Sequence, residues 1–280
     1  MISIDLHTHT SASHGENSVA EMRAAARLRG IKIQGFSEHS PRPRDYVYPS
    51  DYGAHLLAAF PRYAEEVLAA RAGEDAPRTL FGMELDWLPA ERAFMEQAAD
   101  AYPFDYIIGG IHFLGHWGFD ASAADWEKLN PDERDGMYVR YFDELRNMAT
   151  ARHKGKRLAD IAAHPDIIKL FSISDFRRWI ALPASLRQAS DALVAIRDAG
   201  MAMEISSAGL RKPCAEIYPH PAIMGLAAEI GVAISFGSDA HCVNTPAYAF
   251  DQLEAYAASF GYTESRYFVG REARALPFSG

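Results

Sequence analysis

Cysteine is almost missing from this chain of 280 residues: Cys214 and Cys242 are the two it has, and they form no Cys-x-x-Cys pair. That excludes a disulfide framework and makes a reducing cytoplasm the expected compartment. Long hydrophobic runs are missing too, since nowhere do about 18 apolar residues follow one another, and the amino terminus has no basic segment leading into an apolar one. A soluble protein with no secretory signal and no membrane partner is expected. Positive charge is in deficit. A net charge of −9 disfavours nucleic acid as a partner, because phosphate backbones are held by basic faces. Internal repeats and low-complexity tracts are absent. With 49% hydrophobic residues the chain can bury one large core, so residues 1–280 are expected to form one domain.

What is present is an alternation. Strand-like runs at 3–9, 31–39, 79–87, 105–114, 158–168, 201–208 and 232–241 alternate with helical patterns. Ser18 with Glu21 reads as a capping box, Val19, Met22 and Ala26 make the apolar face of a first helix, and Gly30 is placed to end it. Pro61 interrupts an apolar periodicity between Leu56 and Leu68 and must start a helix or kink it. Parallel strands with right-handed crossovers follow, in an open sheet or in a closed barrel. An open sheet gathers its site at one switch point, whereas here nearly every run ends in a histidine or a carboxylate, and these converge only if the sheet closes. The expected fold is α/β, a distorted (β/α)7 relative of the TIM barrel with its site at the carboxyl ends of the strands. Residues 267–269 are a candidate eighth strand.

The run ends carry the chemistry. His7 and His9 leave one face of a strand and can reach one ion, and Asp239 with His241 repeats that spacing just after Gly237. Glu84 ends an apolar run, and its two oxygens can bridge two ions as a neutral imidazole cannot. His39, His112 and His164 each break an apolar run at its end, and Glu38 either points away from His39 or orients a ligand. His14 reads by pattern alone as an exposed loop residue. His55, His116, His153 and His220 fall on helical or loop positions and are assigned to no metal.

The ordered motifs His7-Thr8-His9, Ser13-His14-Gly15, Glu38-His39-Ser40-Pro41, Gly82-x-Glu84, Gly110-Ile111-His112-Phe113, Ala163-His164-Pro165 and Gly237-Ser238-Asp239-Ala240-His241 resemble those of the PHP (polymerase and histidinol phosphatase) family. The segments from Glu204 to Pro213 and from Ile111 to Asp120 further resemble its histidinol-phosphatase branch. The resemblance implies a distorted seven-stranded barrel and two to three divalent ions. One ion would take His7, His9, Glu84 and Asp239, a second would share Glu84 and take His112 and His164, and a third would take His14, His39 and His241.

Nitrogen and oxygen donors without thiolate suit zinc, manganese or iron. The expected reaction is hydrolysis of a small-molecule phosphomonoester, with the resemblance implying histidinol phosphate and histidine biosynthesis. Glu84, Asp239 and His241 are the expected catalytic residues, either of the last two relaying a proton to the leaving group. Phosphate needs cationic donors, and Arg42, Arg44, Arg211 and Lys212 follow strand ends, Arg211 being favoured. Phe113, Trp117 and Phe119 are candidates for a wall against an imidazole, with Asp120 or Asp86 for an ammonium. The competing readings are a PHP-type phosphoesterase on nucleotides or nucleic-acid ends, a metal-dependent amidohydrolase, and a non-catalytic barrel. The last should have lost ligands, and none is lost. The sequence leaves the oligomeric state open.

Overall fold

A computed structural model of the chain describes residues 2–46, 53–73 and 75–278. Seven strands form one parallel sheet in chain order: β1 (Ile4–Asp5), β2 (Ile33–Phe36), β3 (Arg78–Asp86), β4 (Tyr106–Gly110), β5 (Ile161–Ala162), β6 (Ala202–Ser206) and β7 (Ala233–Gly237). Each is almost wholly buried, as parallel strands covered by helices must be. The sheet closes on itself. Leu6 N donates to Phe236 O at 3.0 Å and His9 N to Ala240 O at 2.8 Å, joining the end of β1 to the end of β7. Buried Asp5 adds a clasp by accepting Ser238 N at 2.9 Å and Ser238 Oγ at 2.6 Å.

The first crossover helix, Val19–Leu28, has the reciprocal cap between Ser18 and Glu21, and Gly30 follows it at φ 77°. Pro61 lies inside the helix Gly53–Ala72, which continues past it. The barrel interior is filled rather than hollow. Tyr106 is fully buried and its hydroxyl donates to Leu6 O at 2.7 Å across the barrel. Its ring occupies the space where a Cβ at Gly82 or Gly35 would stand, so those strands must carry glycine there.

Two expectations change. Residues 267–269 belong to an antiparallel hairpin, β8 (Glu264–Val269) with β9 (Glu272–Pro277), and do not join the barrel. The hairpin tip instead covers the amino-terminal mouth, where Arg271 N donates to Asp105 O at 2.8 Å and the Arg271 side chain pairs with buried Asp160. Several strands are also shorter than their apolar runs. β1 and β5 have two residues each, so His7, His9 and His164 lie on irregular backbone just beyond strand ends.

Candidate metal centre

At the carboxyl ends of the strands, Glu84 at the end of β3 is the hub. Its Oε2 stands 3.2 Å from His7 Nε2, 3.5 Å from His9 Nε2 and 3.1 Å from His39 Nδ1. Its Oε1 stands 3.4 Å from His112 Nε2 and 3.1 Å from His164 Nε2. One carboxylate therefore turns a different oxygen to each of two histidine groups. Asp239 closes the other side, with Oδ1 at 3.8 Å from His7 Nε2, 3.4 Å from His9 Nε2 and 3.5 Å from His241 Nδ1. The His14 ring is exposed but lies over the same group, 4.3 Å from the His241 ring and 5.0 Å from that of His39. Tertiary placement thus moves His14 from a bland loop position to the rim of the cluster.

The residues fit a cation. Three sets of ligand atoms lie within 4.8 Å of one another: His9, His39 and His241; His7, His9 and Asp239; and His7, Glu84 and His164. The buried nitrogens His7 Nε2, His9 Nε2 and His241 Nε2 make no hydrogen bond among the described residues. A buried polar atom left so costs about 1–3 kcal/mol, which a divalent ion accepting those lone pairs offsets. These sets differ from the ones implied by resemblance in that His9, rather than His14, stands with His39 and His241.

The electrostatics agree. Burial pushes the Glu84 carboxyl up, but His7, His39 and His112 hold it well below the usual carboxylate range. Burial likewise opposes the ionised Asp239, and Lys212 and His241 hold its carboxyl well below that range. Both hub carboxylates therefore stay anionic inside the protein. His9 is pulled down by burial yet lifted to about 9 by Asp239 and Glu38, so protons compete for its nitrogen.

Behind the cluster, three carboxylates orient three imidazoles. Glu204 Oε1 accepts from His7 Nδ1 at 2.7 Å, Glu38 Oε1 from His9 Nδ1 at 3.2 Å, and Asp86 Oδ1 from His112 Nδ1 at 2.6 Å. In each ring Nδ1 is occupied and Nε2 is turned to the centre. Glu38 thus takes the orienting role, not the outward one. Sequence reasoning missed Glu204. The available signal was a carboxylate inside the buried run 202–206, facing Gly237, where an added Cβ would collide with Glu204 Oε1. Asp239 itself has φ 51°, a left-handed conformation costly for a residue other than glycine. The Asp239-x-His241 pair is thus set by a backbone bend and not by strand alternation.

The nominated substrate contacts divide. Lys212 Nζ sits 3.2 Å from Asp239 Oδ2, and Arg211 Nη2 donates to the carbonyls of Ser238 and Asp239, the latter at 3.2 Å. Trp117 is half-buried on the hairpin at 113–118, and Asp120 lies within Coulombic reach of His112 and Lys212. Phe119 is not part of a substrate wall: it is 1% exposed, edge-on to Tyr141 at 5.7 Å, because its run turns inward to the core. Phe113, also buried, meets Tyr46 edge-on at 5.4 Å. Asp86 is not available to an ammonium, since His112 and Arg42 occupy it, and Arg42 is buried against Asp86 and not held out for phosphate. The histidines given no metal role lie elsewhere. His220 caps the helix Pro221–Ile230, His153 pairs with Asp100 at 2.8 Å, His55 bonds Ser11 O and exposed His116 packs on Tyr46.

A closed parallel barrel that gathers imidazoles and carboxylates at its strand ends defines a class of barrels capable of binding metal there. A family model described as the PHP domain matches residues 5–208, and the chain belongs to that family. A relative from Deinococcus radiodurans, named a probable histidinol-phosphatase, is 34% identical over 244 residues, covering 85% of this chain and 85% of its own. The histidinol-phosphatase of Bacillus subtilis is 27% identical over 274 residues, covering 88% of this chain and 96% of its own. The crystal structure of a histidinol phosphate phosphatase from Lactococcus lactis, complexed with zinc, L-histidinol and phosphate, superposes with a TM-score of 0.76 at 18% identity over 97% of this chain and 98% of that one.

Proposed function

We propose that this chain is a metal-dependent phosphomonoesterase that hydrolyses L-histidinol phosphate to L-histidinol and phosphate, a step of histidine biosynthesis. The observation that carries the reading is Glu84, whose two oxygens face two separate histidine groups. Names borne by relatives across most of the chain support the substrate.

Two to three divalent ions, with zinc, manganese and iron all compatible, would be held by the residues around Glu84. His7, His9, Glu84 and Asp239 suit one, Glu84, His112 and His164 a second, and His14, His39 and His241 a third. When bound, such ions supply an activated water and neutralise charge on the phosphoryl oxygens. The chain's own residues do the positioning. Lys212 and Arg211 stand beside Asp239, and Lys212, about one-third exposed, is the cation better able to meet a phosphoryl oxygen. Water adds its oxygen to phosphorus as the ester P–O bond breaks, and Asp239 or His241 takes up the proton that the water gives up and relays it to the departing alkoxide. We assign Trp117 and Asp120 to the imidazole and amine of the leaving alcohol, Asp120 lying within Coulombic reach of His112 and Lys212. We assign residues 1–280 to one barrel domain. Among the described residues no helix is long and apolar enough to cross a membrane, and the paucity of cysteine supports the cytoplasm.

Phosphate release from histidinol phosphate, nucleotides and sugar phosphates, each with added manganese or zinc, tests the reading. Preference for histidinol phosphate is expected. Preference for a nucleotide would transfer the chain to the nucleotide-directed branch and leave the metal centre standing.

A further inference from the structure

Of the three carboxylates that orient imidazoles, Asp86 has a partner of a different kind. Glu38 is held by Thr10 N at 2.9 Å, Thr10 Oγ1 at 2.6 Å and the Ser13 hydroxyl, and Glu204 by His164 N at 2.7 Å. Those donors are uncharged. Asp86 instead meets the fork of Arg42: Nε donates to Oδ2 at 2.6 Å and Nη2 to Oδ1 at 3.3 Å. The two side chains are 2% and 1% exposed. The guanidinium also faces the Phe113 ring, with its carbon 5.3 Å from the centroid, and Asp86 N donates to Ser40 Oγ at 3.3 Å. Arginine's planar fork fixes a carboxylate in plane as well as in position. The Asp86 oxygen that Arg42 Nη2 reaches is the one that accepts from His112 Nδ1.

We propose that Arg42 is a positioning residue that acts through Asp86 on His112, setting the site formed by Glu84, His112 and His164. This rests on the metal reading above and deepens it. The chain of contacts runs from the loop after β2, through the end of β3, to the second residue after β4, so three neighbouring strand ends are tied together behind one ligand. Freed from the fork, Asp86 can turn, and His112 loses the partner that aims Nε2 at Glu84. Loss of a partner behind a ligand typically costs about 10–100-fold in metal affinity. A phosphate ligand would behave otherwise, raising KM and leaving the metal content alone.

The test measures bound zinc or manganese by elemental analysis and metal titration in the whole protein. Wild type is compared with Arg42→Ala, Arg42→Lys and Asp86→Asn, and kcat and KM are taken at saturating metal. Because Arg42→Ala leaves a buried carboxylate unpaired and can fail to fold, the near-isosteric Asp86→Asn carries the same test. Both are expected to lose about one equivalent of metal or to weaken one site by about 10–100-fold, with the other sites unchanged. At saturating metal kcat falls while KM stays within about twofold, and Arg42→Lys recovers part of the affinity. Folded variants with wild-type metal binding and a raised KM would overturn the proposal while leaving the metal centre intact. A wild-type chain that binds no divalent ion would overturn both.

Discussion

Residue by residue, the cluster depends most on the one side chain that serves two groups. Glu84→Gln keeps the shape but removes the negative charge that faces His7, His9 and His39 on one oxygen and His112 and His164 on the other. We expect phosphatase activity to fall by at least about 100-fold, with loss of bound metal. His116→Ala is the control. That residue is exposed and packs on Tyr46 at the rim, so its loss should change activity by less than about threefold. Equal activity in the two folded variants would show that Glu84 holds no ion. Residue identity also explains what the sequence left obscure. Glu204 looked like one polar letter in a strand, and its bond to His7 spans 197 positions of chain, which no local pattern can encode.

Among the elements, the proposed function gives the segment from the hairpin at 113–118 to Asp120 and the loop after β6 different parts of the substrate. Lys212 follows β6 and touches Asp239, so Lys212→Ala should lower kcat/KM for histidinol phosphate and for an aryl phosphate alike, by about 2–4 kcal/mol if it stabilises transition-state charge. On that proposal, Trp117→Ala and Asp120→Ala remove contacts to parts of histidinol phosphate that an aryl phosphate lacks. Only kcat/KM for histidinol phosphate should then fall strongly, since remote binding energy supports catalysis. A parallel fall for both substrates in folded variants of full metal content would remove the loop from specificity. The helices were readable because caps and apolar faces are local: the Ser18 and Glu21 box forms at the start of the first crossover helix. Strand ends were less readable. Burial continues past the point where pairing stops, so apolar runs overstate strand length, as at β1 and β5.

For the molecule as a whole, the two mouths of the barrel do different things. The carboxyl mouth holds the cluster, and the amino mouth is covered by the hairpin of β8 and β9 through Arg271, Asp105 and Asp160. Arg271→Ala should lower unfolding free energy by about 1–3 kcal/mol in urea with kcat/KM unchanged, because buried Asp160 keeps Arg157 at 2.7 Å but loses its second cation. A fall in kcat/KM of the folded variant would show that the two mouths are coupled. Chelation acts at the opposite mouth. Removing divalent metal from purified protein that carries two to three equivalents should abolish activity and lower the melting temperature, since ions that bind only the native state stabilise it. Less than one equivalent after reconstitution, with activity indifferent to chelator, would refute the centre.

The sequence by itself determined the barrel class, the order of its βα units and, His14 excepted, the residues of the cluster, because hydrophobic period and capping are short-range and each of those residues stands at the end of an apolar run. Tertiary structure alone decided which of those residues stand together. Closure through Leu6, Phe236 and Asp5 carries β1 to β7 and so brings His7 and His9 to Asp239 and His241. The left-handed turn at Asp239, the carboxylates behind His7, His9 and His112, and the inward rotation of Phe119 depend on contacts between residues far apart in the chain. Such contacts exist only once the sheet has closed.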